Sequence, residues 1–184
     1  MGVLAVPVYA ALLRGINVGG RTRVSMADLR ELFDELGATD VQTYVQSGNV
    51  VFASSERSAA KLEHAVEKQI KKALGLDVRV LVRTAAQLAK VAKANPFLKA
   101  KKDEAALHVT FLKEKPAAAK VKAIDPEVGG ADEFRVASRE IYLHFPNGYG
   151  RTKLNNTFFE KKLAVPATTR NWRTVTKLVD LARG

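Results

Sequence analysis

The sequence predicts an α+β fold built from two ferredoxin-like subdomains of the βαββαβ type, packed together. Short apolar or alternating runs typical of strands recur along the chain, and longer segments with helical periodicity lie between them. In the first half these segments follow the order of a ferredoxin-like domain, and the second half repeats most of that order. The order of elements indicates subdomains over residues 1–83 and 84–184. No flexible linker composition separates them near Arg83, so we expect the two halves to pack together rigidly.

The first subdomain begins with a strand, a glycine-containing loop and a helix. Val8–Leu13 is a continuous apolar run, typical of a buried strand, and residues 14–23 form the loop that follows it. Ser25 followed by Asp28 has the spacing of a capping box and predicts the start of a helix. Gly37 ends that helix, because glycine readily adopts the left-handed conformation after a last turn.

A hairpin, a second helix and a fourth strand complete the first subdomain. Val41–Gln46 alternates between two faces, Val50–Ala53 returns, and Ser47–Asn49 between them has the residues of a hairpin turn. Ser58–Leu74 has apolar residues at helical spacing and therefore predicts an amphipathic helix. Val78–Arg83 alternates again and predicts the fourth strand.

The second subdomain opens with another capping box, formed by Thr84 and Gln87, and its first helix ends before Pro96. The same periodicities predict the remaining elements, which are a strand over Leu107–Phe111, a helix over Ala117–Ile124, strands over Phe134–Ala137 and Ile141–Phe145, and helices over Lys153–Leu163 and Arg170–Ala182. The resulting order is βαββα with an additional helix at the C-terminus.

Composition narrows the class of protein. The 184 residues include no cysteine, which excludes disulfides, thiolate metal sites and cysteine nucleophiles. The apolar start carries no positive charge and indicates a first strand, not a signal peptide. No apolar run approaches the roughly 20 residues that a membrane span needs. We therefore expect a cytoplasmic protein with no membrane partner, while the sequence leaves its oligomeric state open.

The net charge of +11 is distributed unevenly. Residues 84–184 carry 19 of the 30 Lys and Arg residues but only 10 of the 19 Asp and Glu residues. A basic half attracts phosphorylated small molecules or polyanions, although scattered lysines also serve solubility. The charge thus favours an anionic partner over a cationic one.

Four segments outside the regular scaffold carry residues suited to ligand binding. Two are turns in the first subdomain, one is the loop after the strand that ends near Phe145, and one leads into the last helix. Glycine backbone lets N–H groups approach a ligand, and Arg, Lys, Asn, Ser and Thr side chains bind and orient phosphate or carboxylate groups. The candidate ligand-binding residues are Arg14, Asn17, Gly19, Gly20, Ser47, Asn49, Asn147, Gly148, Arg151, Lys153, Thr169, Arg170, Asn171 and Arg173.

The segment before the last helix gives the strongest of these signals. Thr169 is a suitable N-cap, so Arg170 and Arg173 are expected in the first turn of that helix. The positive end of a helix dipole normally favours Asp and Glu there. Two arginines and a dipole pointing the same way would make an anion site, held at a fixed angle by Trp172 on the opposite, buried face.

The same segments contain no Asp or Glu, which removes paired-carboxylate acid–base chemistry and gives a divalent metal no carboxylate ligands there. His108 and His144 lie on predicted strands, so they would have to meet across a sheet to act as a base or a metal site. Nothing places Ser47 beside a histidine. No catalytic residue and no cofactor can be named.

Five segments in the same order resemble the bacterial "domain of unknown function 1697" family. They are ALLRGINVGG (residues 11–20), YVQSGNVVF (44–52), NPF (95–97), FPNGYGRTKL (145–154) and ATTRNWRTVTKL (167–178). The resemblance covers nearly the whole chain and implies a compact α+β fold of two ferredoxin-like subdomains. It implies no activity, cofactor or catalytic residue.

Several functions fit these observations. The first is binding of a phosphate-bearing or other anionic small ligand in a basic, glycine-lined pocket. The second is an enzyme acting on a phosphorylated or carboxylated metabolite, with Arg14, Arg170 and Arg173 holding the substrate. A nucleic-acid-binding protein is a third, disfavoured because the strands lack the aromatic signature of ferredoxin-like RNA-binding domains. The fourth is a structural or interaction protein whose asparagines hydrogen-bond the backbone of turns.

Overall fold

The computed structural model describes residues 5–20 and 22–184. The chain divides into two compact units, and both transitions between them fall inside helices. Unit 1 consists of the described residues up to Ala89 together with Lys177–Gly184, and unit 2 consists of Lys90–Thr176. The division after Ala89 lies a few residues beyond the boundary expected at residue 83, and the end of the last helix groups with unit 1.

Unit 1 contains the complete ferredoxin-like order of strands and helices. Its elements are β1 (Val8–Leu13), α1 (Met26–Glu35), β2 (Thr39–Tyr44), β3 (Asn49–Ala53), α2 (Ala59–Leu74) and β4 (Val80–Thr84). The strands form an antiparallel sheet in the order β2-β3-β1-β4. This order places β1 and β3, the strands that precede the two helices, next to each other at the centre, as in other ferredoxin-like domains.

The predicted caps account for where the helices of unit 1 begin. The Ser25 hydroxyl accepts a hydrogen bond from the Asp28 N–H at 3.0 Å, and α2 begins after Ser58 in the same way. At the start of α3 (Ala85–Lys93) the capping box is reciprocal: Thr84 N–H donates to Gln87 and Gln87 N–H donates to Thr84, at 2.9 and 3.1 Å. Each cap stabilises a helix by roughly 1 kcal/mol.

The core of unit 1 lies between one face of the sheet and the two helices. Phe33 from α1 and Phe52 from β3 pack with their ring centres 4.9 Å apart, and Val66 and Ile70 from α2 cover the same face. Burying each of these side chains contributes about 1.5–3 kcal/mol. This packing fixes both helices against the sheet.

Unit 2 repeats this architecture, including a fourth strand. Its elements after α3 are α4 (Pro96–Lys99), β5 (Leu107–Leu112), α5 (Ala118–Lys122), β6 (Glu133–Ala137), β7 (Glu140–His144), α6 (Asn156–Leu163), β8 (Ala167–Asn171) and the start of α7 (Trp172–Arg183). The sheet order β6-β7-β5-β8 matches that of unit 1, and all neighbours are antiparallel. The two units are thus both ferredoxin-like.

Strand β8 is the main element that the sequence did not predict. The expected helix over Arg170–Ala182 begins instead at Trp172, because Ala167–Asn171 pairs along its whole length with β5. Helix α6 also starts later than expected, because Asn155 accepts a hydrogen bond from Phe158 N–H and caps it. In α7 the expected buried face is confirmed: Trp172, Val175, Val179 and Ala182 are all buried.

The turn between β2 and β3 packs tightly on the loop after β1. Gly48 has φ +81°, and a Cβ there would lie 2.6 Å from Ile16 Cδ1 and 2.9 Å from Leu13 Cβ. Leu13 N–H donates a hydrogen bond to Gly48 O at 2.9 Å. Val45, three residues before Gly48, has φ +49°, and β2 ends before it at Tyr44, two residues earlier than expected. Only glycine fits this approach at residue 48.

We expect Gly48→Ala to lower the free energy of unfolding by about 2–4 kcal/mol, because the side chain adds a steric clash to the left-handed backbone strain. Urea unfolding followed by circular dichroism measures the change. Gly37→Ala is the matched control: its φ of +77° is similar but a Cβ there meets nothing within 4 Å. It should cost only about 1–2 kcal/mol. Equal losses would mean that the Ile16 contact does not restrict this turn.

Candidate functional site

The loop after β1 in unit 1 has a backbone that few residue types tolerate. Gly15, Asn17, Gly19 and Gly20 all have positive φ, between +54° and +75°. Asparagine is the residue other than glycine that most readily adopts this conformation. The sequence-predicted residues of the first segment therefore shape the loop, and Arg14 holds its start through an N–H bond to Arg79 O at 2.9 Å.

The side chain of Asn17 joins the loop to the β2–β3 turn. Its Nδ2 donates to Val24 O at 2.9 Å and to Gln46 O at 2.7 Å, and its Oδ1 accepts from Val24 N–H at 2.9 Å. Both N–H protons of the Asn17 amide are thus donated to backbone carbonyls, and its oxygen accepts a backbone N–H. Asn17 positions the site and is not free to contact a ligand.

Asn49 and Ser47 have a similar role at the hairpin tip. Asn49 is fully buried, and its Nδ2 donates to Tyr44 O at 2.9 Å and to Ser47 Oγ at 3.1 Å. These bonds close the turn around residues 45–48. The second segment, like the first, contributes a rigid frame, and the two segments meet through the bond from Asn17 to Gln46.

A groove of about 520 Å³ opens between the loop and the turn, and we call it the loop–turn groove. The residues that line it are Asn17, Gly20, Arg23, Val24, Ser25 and Gln46. None of them carries a carboxylate. Arg23 and the Gln46 side chain form no hydrogen bond or ion pair with any residue in the ranges 5–20 and 22–184. Ser25 accepts a bond from Asp28 N–H, which leaves its own proton available.

Arg23, Ser25 and Gln46 were not among the predicted binding residues. Arg23 sits a few residues beyond the last glycine of the loop, and Gln46 directly precedes Ser47, so both lie at the edges of predicted segments. The sequence signal for Arg23 and Gln46 is a charged or amide side chain next to a turn. Such residues are too common to identify a binding site. Their proximity depends on packing between segments far apart in the chain.

The third predicted segment forms an exposed turn in unit 2. Asn147, Gly148, Arg151 and Lys153 are all exposed, and Gly148 has φ +82°. Arg151 lies in a short 3-10 turn before α6. These basic groups are available to solvent anions.

The fourth segment differs from expectation because it is a strand. Thr169 does not cap a helix: its hydroxyl donates to Asn156 Oδ1 at 2.6 Å and lies 2.7 Å from Thr110 Oγ1. Arg170 is buried on β8, where its Nη1 donates to Thr168 Oγ1 at 2.7 Å and to Thr169 O at 2.9 Å. The expectation of Arg170 in a first helical turn is therefore wrong.

Two residues of that segment do lie at the start of α7. Asn171 occupies the position before the helix and accepts a hydrogen bond from Thr174 N–H at 2.8 Å, so it takes the capping role expected of Thr169. Arg173 is exposed in the first turn. The arginine pair expected at this helix start is thus a single arginine.

His108 and His144 face opposite sides of the second sheet. His108 pairs with Leu143 while His144 pairs with Leu107, and neighbouring positions on a strand point to opposite faces. His144 Nδ1 lies 3.0 Å from Glu133, whose other partner is Lys102 at 3.0 Å. Lys102, together with His144, holds the pKa of Glu133 below its ordinary value. The two histidines therefore cannot act as a pair.

The surroundings of His108 are aromatic. Its ring lies 5.3 Å from Tyr149 and 5.1 Å from Phe145, centre to centre. Burial in this setting lowers the pKa of His108 from its usual 6.5, because the charged imidazolium loses hydration. His108 is thus a neutral packing residue near pH 7, beside Tyr149 of the third segment and cross-strand from Asn171 of the fourth.

Residues 5–20 and 22–184 contain neither a cluster of metal-ligand side chains nor a helix that could span a membrane. No group of three or more His, Asp or Glu side chains there is placed to hold a metal ion. None of its helices has the length and apolar character needed to cross a membrane.

Comparisons with known proteins bear on family and fold. A family model described as a protein of unknown function, DUF1697, matches residues 6–142. Among the curated proteins, none matches the sequence. A solved structure of a conserved bacterial protein from Streptococcus pneumoniae is similar, with 24% identity and a TM-score of 0.76. The match covers 97% of this chain and 99% of that one. At this identity the likeness shows the shared fold.

We expect Asn17→Asp to lower the free energy of unfolding by about 1–3 kcal/mol, because a carboxylate oxygen would replace the N–H donor that faces two carbonyls. Asp tolerates the same backbone conformation, so the variant isolates the hydrogen bonds. The exposed Asn147→Asp serves as control and should change stability by less than about 0.5 kcal/mol. Equal midpoints in urea would show that the Asn17 amide does not hold the loop.

The lowered pKa of His108 predicts that the free energy of unfolding depends on pH. The unfolded state takes up a proton near pH 6.5 and the folded state only at lower pH, so stability conferred by the neutral ring is present above pH 6.5. It is lost as pH falls from there toward the lower folded pKa. His108→Gln should therefore flatten the stability profile below about pH 6.5.

Exposed His64→Gln is the control for that profile and should leave its slope unchanged. Chemical unfolding at several pH values measures both variants. A profile for His108→Gln that runs parallel to that of the unsubstituted protein would contradict the account.

Proposed function

This chain belongs to the DUF1697 family of proteins of unknown function, and we propose that it binds a phosphate-bearing or other anionic small molecule in the loop–turn groove of unit 1. The groove is large enough for a small metabolite, since ligand pockets commonly measure about 300–1,000 Å³.

The observation that carries the proposal is the chemistry of the groove lining. Arg23 supplies a guanidinium, Gln46 an amide N–H₂ and Ser25 a hydroxyl proton, and the lining contains no carboxylate to compete for them. A guanidinium binds phosphate or carboxylate through two parallel N–H bonds. A set of donors with no opposing acid favours an anion over a neutral or cationic ligand.

The backbone of the loop supports the same preference. Gly19 and Gly20 present no side chain, and a Cβ at either position would meet nothing within 4 Å. A ligand oxygen can therefore approach the amides of this loop closely. Ser25, which lines the groove, caps the start of helix α1, so the positive end of the helix dipole lies at the groove.

The frame around the groove is ordered before any ligand arrives. Asn17 ties loop and turn together with three hydrogen bonds, and Gly48 packs against Ile16 without space for a side chain. Binding therefore orders little beyond the side chains of Arg23 and Gln46, which reduces the entropic cost of association. The net charge of +11, most of which lies in residues 84–184, attracts anions to the protein at long range.

The lining supports binding and orientation more directly than catalysis. It contains no Asp, Glu or His that could serve as a general base within hydrogen-bonding reach of a ligand. A reaction in the groove would need its base or metal to arrive with the substrate. Binding is for that reason the function that we propose.

Calorimetric titration with inorganic phosphate and with a nucleoside monophosphate tests the proposal. We expect Arg23→Ala to raise the Kd about tenfold or more, because a charge-assisted hydrogen bond contributes roughly 1.5–3 kcal/mol. Arg57→Ala is the matched control: Arg57 is exposed in the same unit, lies outside the groove and should leave the Kd nearly unchanged.

Two outcomes would contradict the proposal. One is an equal loss of affinity in both variants, which would indicate unspecific attraction to a basic protein. The other is no binding of either anion by the unsubstituted protein at concentrations of about 10 mM. Tight binding of an oligonucleotide with a steep salt dependence would instead favour a nucleic-acid function.

A further inference from the structure

A second cavity in unit 1, separate from the loop–turn groove, lies between the two helices. It measures about 340 Å³ and opens between the end of α1, the end of β3 and the first half of α2. We call it the interhelical pocket. The residues that define it here are Phe33, Leu36, Phe52, Glu56, Leu62 and Val66.

The interior of the interhelical pocket is apolar and partly aromatic. Phe33 and Phe52 form its floor, with their ring planes at 59° and their centres 4.9 Å apart. A cavity of about 150 Å³ lined by apolar side chains holds one benzene molecule. The pocket is about twice that size, so one aromatic ring with a short polar arm fits into it.

The polar rim is preorganised around Glu56. Its carboxylate Oε1 accepts a hydrogen bond from Ser58 N–H at 2.8 Å, and its backbone O accepts one from the Tyr9 hydroxyl at 2.8 Å. Ser54 Oγ accepts from Glu56 N–H at 3.2 Å. The carboxylate is thus fixed at the mouth of the pocket, with Oε2 directed away from these bonds.

The cation paired with this carboxylate, Lys61, is weakly held. Lys61 Nζ lies 3.9 Å from Glu56 Oε2, and its side chain is 75% exposed. A surface pair at that distance contributes little and is readily displaced. A ligand ammonium could therefore replace Lys61 at Oε2 without breaking a strong interaction.

The chain segment that supplies the opposite wall is acidic, although its lining residues, Phe33, Leu36, Gly37 and Ala38, are uncharged. Residues 31–40 carry Glu31, Asp34, Glu35 and Asp40 and no Lys or Arg, although the whole chain is strongly basic. Helix α1 ends in this stretch with no basic residue in its last turn, so the negative end of its dipole is not offset. An aromatic floor, the Glu56 carboxylate and a helix end with no basic residue together suit a cation attached to a ring.

We propose that the interhelical pocket binds a primary amine that carries one aromatic ring. The ring lies against Phe33 and Phe52, and the ammonium group takes the place of Lys61 Nζ at Glu56 Oε2. This ligand is a cation, whereas the ligand proposed for the loop–turn groove is an anion, so the two sites can be tested independently.

Three probes that each carry a phenyl ring distinguish recognition of the ligand's charge from recognition of its ring. The protein is titrated with 2-phenylethylamine, phenylacetate and phenylalanine while methyl signals are followed by NMR. We expect the amine to shift the methyl signals of Leu62, Ala65 and Val66 with a Kd of about 1 mM. Phenylacetate, which has the opposite charge, should bind at least about tenfold more weakly.

Two variants test the named contacts. Glu56→Gln keeps the acceptor for Ser58 N–H but removes the charge, and it should weaken amine binding about tenfold. Exposed Glu114→Gln in unit 2 is its control and should change nothing. Ala65→Phe fills the pocket and should abolish the shifts, and its circular dichroism spectrum reports whether it folds.

The proposal is overturned if phenylacetate binds as well as the amine, if Glu56→Gln leaves the amine Kd unchanged, or if no probe shifts these signals at about 10 mM. Tighter binding of phenylalanine than of the amine would also overturn it, since it would assign Lys61 a role as carboxylate partner.

Discussion

The contact between the β1–α1 loop and the β2–β3 turn is the constraint on which the candidate site depends. The side-chain amide of Asn17 hydrogen-bonds the backbone of Val24 and Gln46, and Gly48 lies so close to Ile16 that no side chain fits there. Because these interactions are made within the protein, the groove beside them has a fixed shape. Its donors are left for other molecules.

Much of the fold could be predicted from the sequence, because local signals agree with the tertiary structure. Caps such as Ser25 and the reciprocal pair of Thr84 and Gln87 mark helix starts, and apolar periodicity marks most strands. Strand β8 could not be predicted in this way. Its residues, Ala167–Asn171, are mostly polar and precede a helix, and they become a strand only because β5 pairs with them. Pairing between residues about 60 positions apart leaves no local signal.

The candidate site was predicted only in outline. The glycine turns were located correctly, but the asparagines and Ser47 within them bond to the protein's own chain. Arg170, expected at a helix start, is buried in a strand, where Thr168 and the backbone satisfy its Nη1. Arg23 and Gln46 were missed because only folding brings a loop and a turn more than twenty residues apart to one groove. The residue types in the predicted segments suggested an anionic ligand. The structure was needed to identify which side chains line the groove.

The interhelical pocket shows how one small unit can present two different environments: a groove of donors beside the sheet's loops, and an apolar cavity with the Glu56 carboxylate at its mouth between the helices. The central claim concerns the groove, and mapping backbone amide signals during a phosphate titration tests it most directly. The account predicts that the largest shifts fall on Gly19, Gly20, Arg23, Ser25 and Gln46. Shifts concentrated instead on Arg151, Lys153 and Arg173 of unit 2 would contradict it.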